Sequence, residues 1–250
     1  MMKSEPHVAR SSVRPAGKGE VIDDFDGIAS RYDLLTRLNP GYLKHLRWSA
    51  ERLRAAPGAR LLDLCCGTGL STAALLKTYP DARSITGLDA SSGMLSYAAS
   101  KVIANNGRPA IDFVLGDATD PATAVTGPYD GILMAYGIRN VPDADRSLAN
   151  ILDLLAPGAS VCFHEYSVAN SKLAKVVWDT VCLSVIAPMG AAFTGNLRMW
   201  SYLRDSVHRF DGVTTFEARL RRHGFVDVET LPMNGWQRGI VHSFLARRPR

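Results

Sequence analysis

Apolar and polar positions alternate along this chain with two different periods, and the switches between them mark the elements. From 21 to 54 the spacing is helical, with Phe25, Ile28, Ala29 and Tyr32 followed by Leu43, Leu46 and Leu53. Pro40-Gly41 interrupts the pattern, so two helices are predicted, and Pro57-Gly58 ends the second. Short apolar runs then take turns with helical stretches. ARLLDLCC (59–66) reads as a buried strand, LSTAALLKTY (70–79) as a helix, SITGLDA (84–90) as a second strand and SGMLSYAASKVIANNG (92–107) as a helix that Gly107 can cap. AIDFVLGDA (110–118) and YDGILMAYG (129–137) give two more strands. The helix DADRSLANILDLLA (143–156) stops at Pro157-Gly158, and ASVCFHEYS (159–167) is a fifth strand.

Strands separated by helices of this length predict βαβ units, hence a mostly parallel sheet with helices on both faces: an α/β, Rossmann-like fold. The rhythm breaks after Ser167, where a helical segment spans about 171–210. FEARLRRHG (216–224) then gives a helix, and VDVETLPM and GIVHSFLARR give the last two strands. The expected organisation is a disordered tail over 1–20, rich in Ser, Pro, Gly and charge, and one domain over 21–250. The 171–210 segment would be a helical insertion capping the sheet and setting specificity.

Composition narrows the function classes. Over 250 residues, 46% hydrophobic and 21% charged content is that of a soluble globular chain. The net charge of +5 is scattered, and part of it sits at the two ends, which argues against nucleic acid as a partner. The most apolar segment, KLAKVVWDTVCLSVIAPMGAAF, carries Lys172, Lys175, Asp179 and Pro188, and so reads poorly as a transmembrane helix. The first 20 residues hold no signal-peptide core. Four cysteines, Cys65 and Cys66 adjacent, form neither a C-x-x-C pair nor a disulfide framework, which suits free thiols in the cytoplasm. No metal is expected, since no element carries ligands at coordinating spacing.

Candidate chemistry begins at LLDLCCGTGL (61–70). Ligands of open parallel sheets bind at the carboxyl ends of the strands, where this loop lies. Gly67 and Gly69 permit a sharp turn and close approach of a ligand, but Thr72 stands where a dinucleotide fingerprint needs its third glycine, and no G-K-[ST] follows. What remains is a two-glycine turn flanked by acidic residues. Asp63 lies near the cationic end of the ligand, Asp89 can accept from both hydroxyls of an unphosphorylated ribose, and Asp117 can accept from an adenine amino group. S-adenosylmethionine fits that description. Taken singly, the glycines read equally well as a plain βα turn and Asp89 as a helix cap, a role Ser91 or Ser92 could also fill.

Further along, FDGIASRYD (25–33), LDLCCGTG (62–69), GLDASSGML (87–95) and AYGIRNVPD (135–143), with HEYS (164–167), SYLRDSVHRF (201–210) and RRHGF (221–225), resemble the quinone-biosynthesis C-methyltransferases of the UbiE/MenG type. The resemblance runs from about Asp24 to Phe225. It implies S-adenosylmethionine contacts at Tyr32, Thr68, Asp89, Asp117, Ala118 and Ala135, the last standing where the family often has serine. Asp63, Gly67, Gly69, Ala90 and Met94 complete the expected cofactor set. The implied reaction methylates a carbon of a prenylated quinol, ortho to a hydroxyl, giving a menaquinone or ubiquinone precursor.

Such chemistry needs aligned reactants and charge stabilisation of a developing phenolate. Arg139 could hold that anion or orient a water, or it could simply pair with a neighbouring carboxylate. His164 could act as a general base, or pack beneath a helix; because side chains alternate along a strand, at most one of His164 and Glu165 should reach the substrate. Tyr136, Asn140, Trp200, Tyr202 and His208 are expected at the substrate. The segment 173–195 would line the site and meet a membrane surface peripherally, on the cytoplasmic side, and a homodimer is compatible with the sequence. Thr36, Asp211, Val168-Ala169 and the stretch LPMNGWQRGIVHSFLARR depart from the family pattern, all on the acceptor side. Two other readings stay open: a specialised C-, N- or O-methyltransferase of small-molecule metabolism, and a protein that binds the cofactor without transferring methyl.

Overall fold

A computed structural model describes residues 33, 36, 39–102, 109–194 and 197–250, with the side chains at 102, 193–194 and 197–200 set aside. Tyr32, most of the first predicted helix and the 1–20 tail lie outside the described residues.

Helix α1 (Tyr42–Arg52) leads into strand β1 (Arg60–Leu64). There follow α2 (Leu70–Thr78), β2 (Ser84–Asp89), α3 (Ser92–Val102), β3 (Ala110–Leu115), β4 (Tyr129–Ala135), α4 (Ala144–Leu154) and β5 (Leu155–Tyr166). The insertion comprises α5 (Lys172–Val181), a π-turn (Cys182–Ile186), α6 (Ala187–Thr194) and α7 (Leu197–Arg209). Helix α8 (Val213–Arg222), β6 (Val226–Pro232) and β7 (Val241–Arg247) close the chain. The seven strands form one sheet in the order β3-β2-β1-β4-β5-β7-β6. Six strands run in one direction, β1 to β5 as parallel neighbours, and β7 inserts antiparallel between β5 and β6.

Alternation within the central strands sends side chains to two cores. Leu62, Leu64, Ile132, Met134, Val161 and Phe163 pack on one face with Phe216, Leu220 and Phe244. Leu61, Ile85, Leu133 and Cys162 pack on the other with Leu46, Ala50 and Leu53 of α1. All the strand residues among these are fully buried, as apolar runs covered on both faces require. Strand order reverses between β1 and β4, which opens the crevice that defines the binding edge.

The elements differ from the periodicity at two places. Strand β5 begins at Leu155, four residues before the predicted start, because Gly158 takes a left-handed φ of 76° and Arg248 donates its backbone N–H to the Ala159 carbonyl. The insertion contains a π-turn at 182–186, immediately before Pro188. Proline lacks the N–H of a helical ladder and crowds the carbonyl four residues back, so local widening relieves that contact.

Helix α5 is capped by Ser171 Oγ, which accepts from the Ala174 N–H (3.1 Å). With the π-turn that follows, it buries Ala174, Trp178 and Cys182 against Tyr166, Val207 and Val241. Its other side leaves Leu173 (73% exposed), Val176 (62%) and Leu183 (59%) in the open. By length and composition Lys172–Ala192 is apolar enough to cross a membrane, contrary to the expectation from its charges. Its Trp178 is nevertheless fully buried in the fold.

Candidate active site

The loop after β1 takes its shape from backbone conformations that only small residues tolerate. Gly67 and Gly69 sit at φ 52° and 79°. A Cβ on Gly69 would lie 3.1 Å from the Ala98 methyl, whereas one on Gly67 would have none of the described residues beyond its chain neighbours within 4 Å. Asp89, at the end of β2, reaches back to this loop. Its Oδ2 accepts from the Gly67 N–H (2.8 Å) and its Oδ1 from the Ser91 N–H (3.0 Å). Ser91 itself caps α3 through the Met94 N–H (3.1 Å), so Asp89 is not the helix cap. Ala90 is exposed beside it, and Met94 is buried.

Asp63 lies beneath the loop, wholly buried. Its Oδ2 accepts from Ser71 (2.7 Å) and Thr72 (2.6 Å) at the start of α2, while its Oδ1 has no hydrogen-bond partner among the described residues. Burial pushes the carboxyl up to about 7, against the pull of those hydroxyls. A buried carboxylate oxygen in this state suits a cationic ligand group. Beyond β3, Asp117 is exposed and accepts from the Thr119 N–H (2.7 Å); Ala118 is buried, its carbonyl fixed by Ser147 Oγ (2.7 Å). The open face at Gly67, the orphan oxygen of Asp63 and the carboxylates of Asp89 and Asp117 together fit an adenosyl sulfonium.

Asp33, adjacent to Tyr32, is a site residue that motif reading did not assign. It is buried, accepts from the Thr68 hydroxyl and pairs with Lys101 Nζ (2.8 Å), tying its segment to the glycine loop and to α3. Nothing in its sequence spacing signals that contact, which joins residues 35 and 68 positions apart.

A second depression of about 290 Å³ opens beside Arg139. Tyr42, Tyr136, Tyr166 and Trp236 line it, with Thr36, Asn39 and Pro40 at one side and Val181, Val185, Ile186, Met189 and Leu203 from the insertion at another. The tyrosines form a stack, with Tyr136 5.5 Å from Tyr42 and 4.8 Å from Tyr166. Arg139 is buried, its guanidinium 5.9 Å from the Tyr166 ring. Its Nε lies 3.4 Å from Glu165 Oε1, and its Nη1 donates to Asn140 Oδ1 (2.8 Å) and Ser206 Oγ (3.1 Å). Burial raises the Glu165 pKa even against Arg139. The carboxylate pairing weighed for Arg139 is therefore present, and the same arginine also reaches the pocket.

Several expected substrate residues sit elsewhere. His164 does not reach the cleft: it is fully buried on the α1 side of the sheet, and burial lowers its imidazole to about 3, which corrects its reading as a general base. Glu165, on the opposite face as alternation requires, is equally buried. His208 is bound to Asp179 (2.8 Å), which ties α7 to α5, and is not among the pocket-lining residues. Tyr202 donates to Asn140 (3.3 Å), and Asn140 donates to the Tyr136 carbonyl (3.1 Å); both brace the turn behind the pocket instead of lining it. Ala135 ends β4 opposite His164. The side chain of Trp200 lies outside the described residues.

This strand order, with a glycine turn closing β1 and carboxylates at the ends of β1 and β2 and just beyond β3, is the architecture of the class I S-adenosylmethionine-dependent methyltransferases. The chain belongs to the ubiE/COQ5 methyltransferase family, whose model matches residues 14–246. It is 33% identical over 215 residues to a ubiquinone/menaquinone biosynthesis C-methyltransferase of Geotalea daltonii, covering 85% of this chain and 91% of the relative. It is 30% identical over 221 residues to a demethylmenaquinone methyltransferase of Lactococcus lactis, covering 87% and 86%. Among solved structures, a Haemonchus contortus phosphoethanolamine N-methyltransferase holding S-adenosylhomocysteine aligns with a TM-score of 0.67 at 16% identity, covering 94% of this chain and 61% of that one. The [4+2]-cyclase SpnF aligns at 0.65 with 18% identity, covering 95% and 97%. Those two show the fold alone, and the cyclase shows that the fold does not dictate the chemistry.

Proposed function

We propose that the acceptor is a prenylated quinol, methylated on a ring carbon ortho to a hydroxyl. The observation that carries this reading is the pocket itself. A wall of three tyrosines and a tryptophan, with Arg139 the one cation among the described lining residues, adjoins Val181, Val185, Ile186 and Met189 of the insertion. An aromatic ring with an ionisable oxygen suits the first part, and an apolar tail suits the second. The names of the relatives support the same class.

The bound cofactor supplies an electrophilic methyl group. The protein's part is to hold the ring and stabilise its charge. The Arg139 guanidinium, which lines the pocket, is the positive charge that would meet a ring oxygen as the hydroxyl proton leaves to solvent. Held there, the ring would present its ortho carbon to that methyl group, with Arg139 stabilising the phenolate charge that makes the carbon nucleophilic. Glu165, Asn140 and Ser206 keep the guanidinium in place. Leu173, Val176 and Leu183, on the outer side of the helix whose other residues line the pocket, suit peripheral contact with the membrane where such quinols reside.

The test is transfer of a labelled methyl group to a panel of reduced acceptors: demethylmenaquinol, demethylated ubiquinol precursors, tail-less naphthols and hydrophilic amines. The expected product is a C-methylated prenylated quinol. Label found only on nitrogen or oxygen of a hydrophilic acceptor refutes the reading.

A further inference from the structure

His164 is a fully buried titratable group that methyl transfer as described above leaves without a task. It sits inside a chain of hydrogen bonds that runs from a half-buried cation to the acceptor pocket. Arg52 Nη1 donates to Ser243 Oγ (2.8 Å), and Ser243 Oγ is 2.7 Å from Ser49 Oγ. Ser49 Oγ is 2.7 Å from His164 Nδ1, and His164 Nε2 is 2.9 Å from the Tyr136 hydroxyl. Ser49, His164 and Ser243 are fully buried, whereas Tyr136 lines the pocket.

The chain has a direction. Arg52 can only donate, so its positive charge draws the Ser243 oxygen towards it and turns the Ser243 proton away, towards Ser49 and the buried Cys162 sulfur that both hydroxyls also meet. Ser49 then donates to His164 Nδ1. The imidazole, held neutral by burial, carries its one proton on Nε2 and donates to Tyr136. With its oxygen already accepting from within, Tyr136 has its own proton turned away from His164.

The backbone holds Tyr136 in this position. Its φ of 57° is rare for a residue with a side chain, and its N–H is bonded to the His164 carbonyl (2.7 Å). A Cβ on the next residue, Gly137, would lie 2.7 Å from Cys65 Cβ, so the turn is also locked against the cofactor loop. Strain retained at such a place points to a role beyond packing.

We propose that Tyr136 donates a hydrogen bond to the acceptor oxygen that becomes anionic, and that Arg52, Ser243, Ser49 and His164 are positioning residues that aim its hydroxyl. The inference rests on the reading of the pocket as the site for a phenolic ring. Arg139 and the Glu165 paired with it are the other charged groups beside that ring. Two donors on one phenolate oxygen share the charge that one would otherwise carry.

The experiment uses the full chain saturated with S-adenosylhomocysteine and titrated with 1-naphthol, whose ionisation is read from its absorbance and needs no methyl transfer. Bound naphthol is expected to ionise about one pH unit or more below the free compound. Tyr136→Phe should abolish at least half of that shift, and Ser49→Ala should act in the same direction. The double variant should go no further than Tyr136→Phe, and Ser49→Thr should restore the wild-type value. Thermal unfolding of each variant shows whether it is folded, but a merely structural serine would not move the ionisation of the ligand. An unchanged shift in Tyr136→Phe, or additive losses in the double variant, overturns the inference while leaving the pocket reading intact. Failure of naphthol to bind at all overturns both.

Discussion

Removing the arginine of a buried ion pair should cost more in stability than its position at a pocket suggests. Arg139→Ala leaves Glu165 without its counter-charge where the Glu165 side chain is 0% and that of Arg139 5% exposed. Breaking a buried pair at one partner typically costs about 3–5 kcal/mol, because the remaining charge is left desolvated. Here Glu165 Oε1 keeps the Tyr166 N–H (2.9 Å), which places the expectation near the lower end, about 3 kcal/mol at pH 8. For a chain of this size that is a fall of about 6–12 °C in Tm.

The loss should also depend on pH. Glu165 already has a raised pKa from burial, and without Arg139, which pulls it down, the value rises further. A carboxyl whose folded pKa exceeds its unfolded value contributes stability below the unfolded value and loses it as pH rises through the folded one. The two proteins lose this contribution in parallel up to the wild-type folded pKa of Glu165, so the variant's deficit grows only between that value and its own higher one, and it is smaller at pH 6 than at pH 8. Urea unfolding at the two pH values measures it, and Arg139→Ala combined with Glu165→Gln should recover at least 1 kcal/mol at pH 8, since no charge is then stranded. A deficit under about 1 kcal/mol that is equal at both pH values would refute the account of the pair. Methyl transfer by Arg139 variants must accordingly be measured well below their own Tm.

The ligand-free protein should lose stability between about pH 4 and 7 as the buried Asp63 ionises, because its folded pKa of about 7 lies above the unfolded value. Asp63→Asn should flatten that slope in unfolding experiments and weaken S-adenosylhomocysteine binding in calorimetry; an unaltered slope would show that Asp63 does not titrate there. At the insertion, flotation with vesicles of mixed phosphatidylcholine and phosphatidylglycerol should recover the wild-type chain. Val176→Asp with Leu183→Asp should reduce that recovery several-fold without lowering Tm, since both residues face outward. Equal recovery of the two proteins would remove the membrane contact from the reading.

The chain's own pattern determined its strand and helix order, the two-glycine turn and the carboxylate at the end of β2. Each is local: a period of two or 3.6 residues, a φ that glycine adopts freely, a fixed offset between a loop and the next strand end. The acceptor side was not legible in the same way. Tyr42, Tyr136, Tyr166 and Trp236 meet only because β4 and β5 lie side by side, α1 folds across them and the turn before β7 returns beside β5. The alternation along β5 sent His164 and Glu165 to opposite faces, but periodicity says which face is inward and not what waits there. Ser49 and Ser243 beside one residue, and Arg139 beside the other, come from elements distant in the chain. Tertiary packing thus decided that the histidine stays neutral inside the sheet, that the arginine is both paired and at the pocket, and that Asp33 holds the cofactor loop. A buried group's charge and partners depend on its neighbours in space, and those are fixed only when the sheet has assembled.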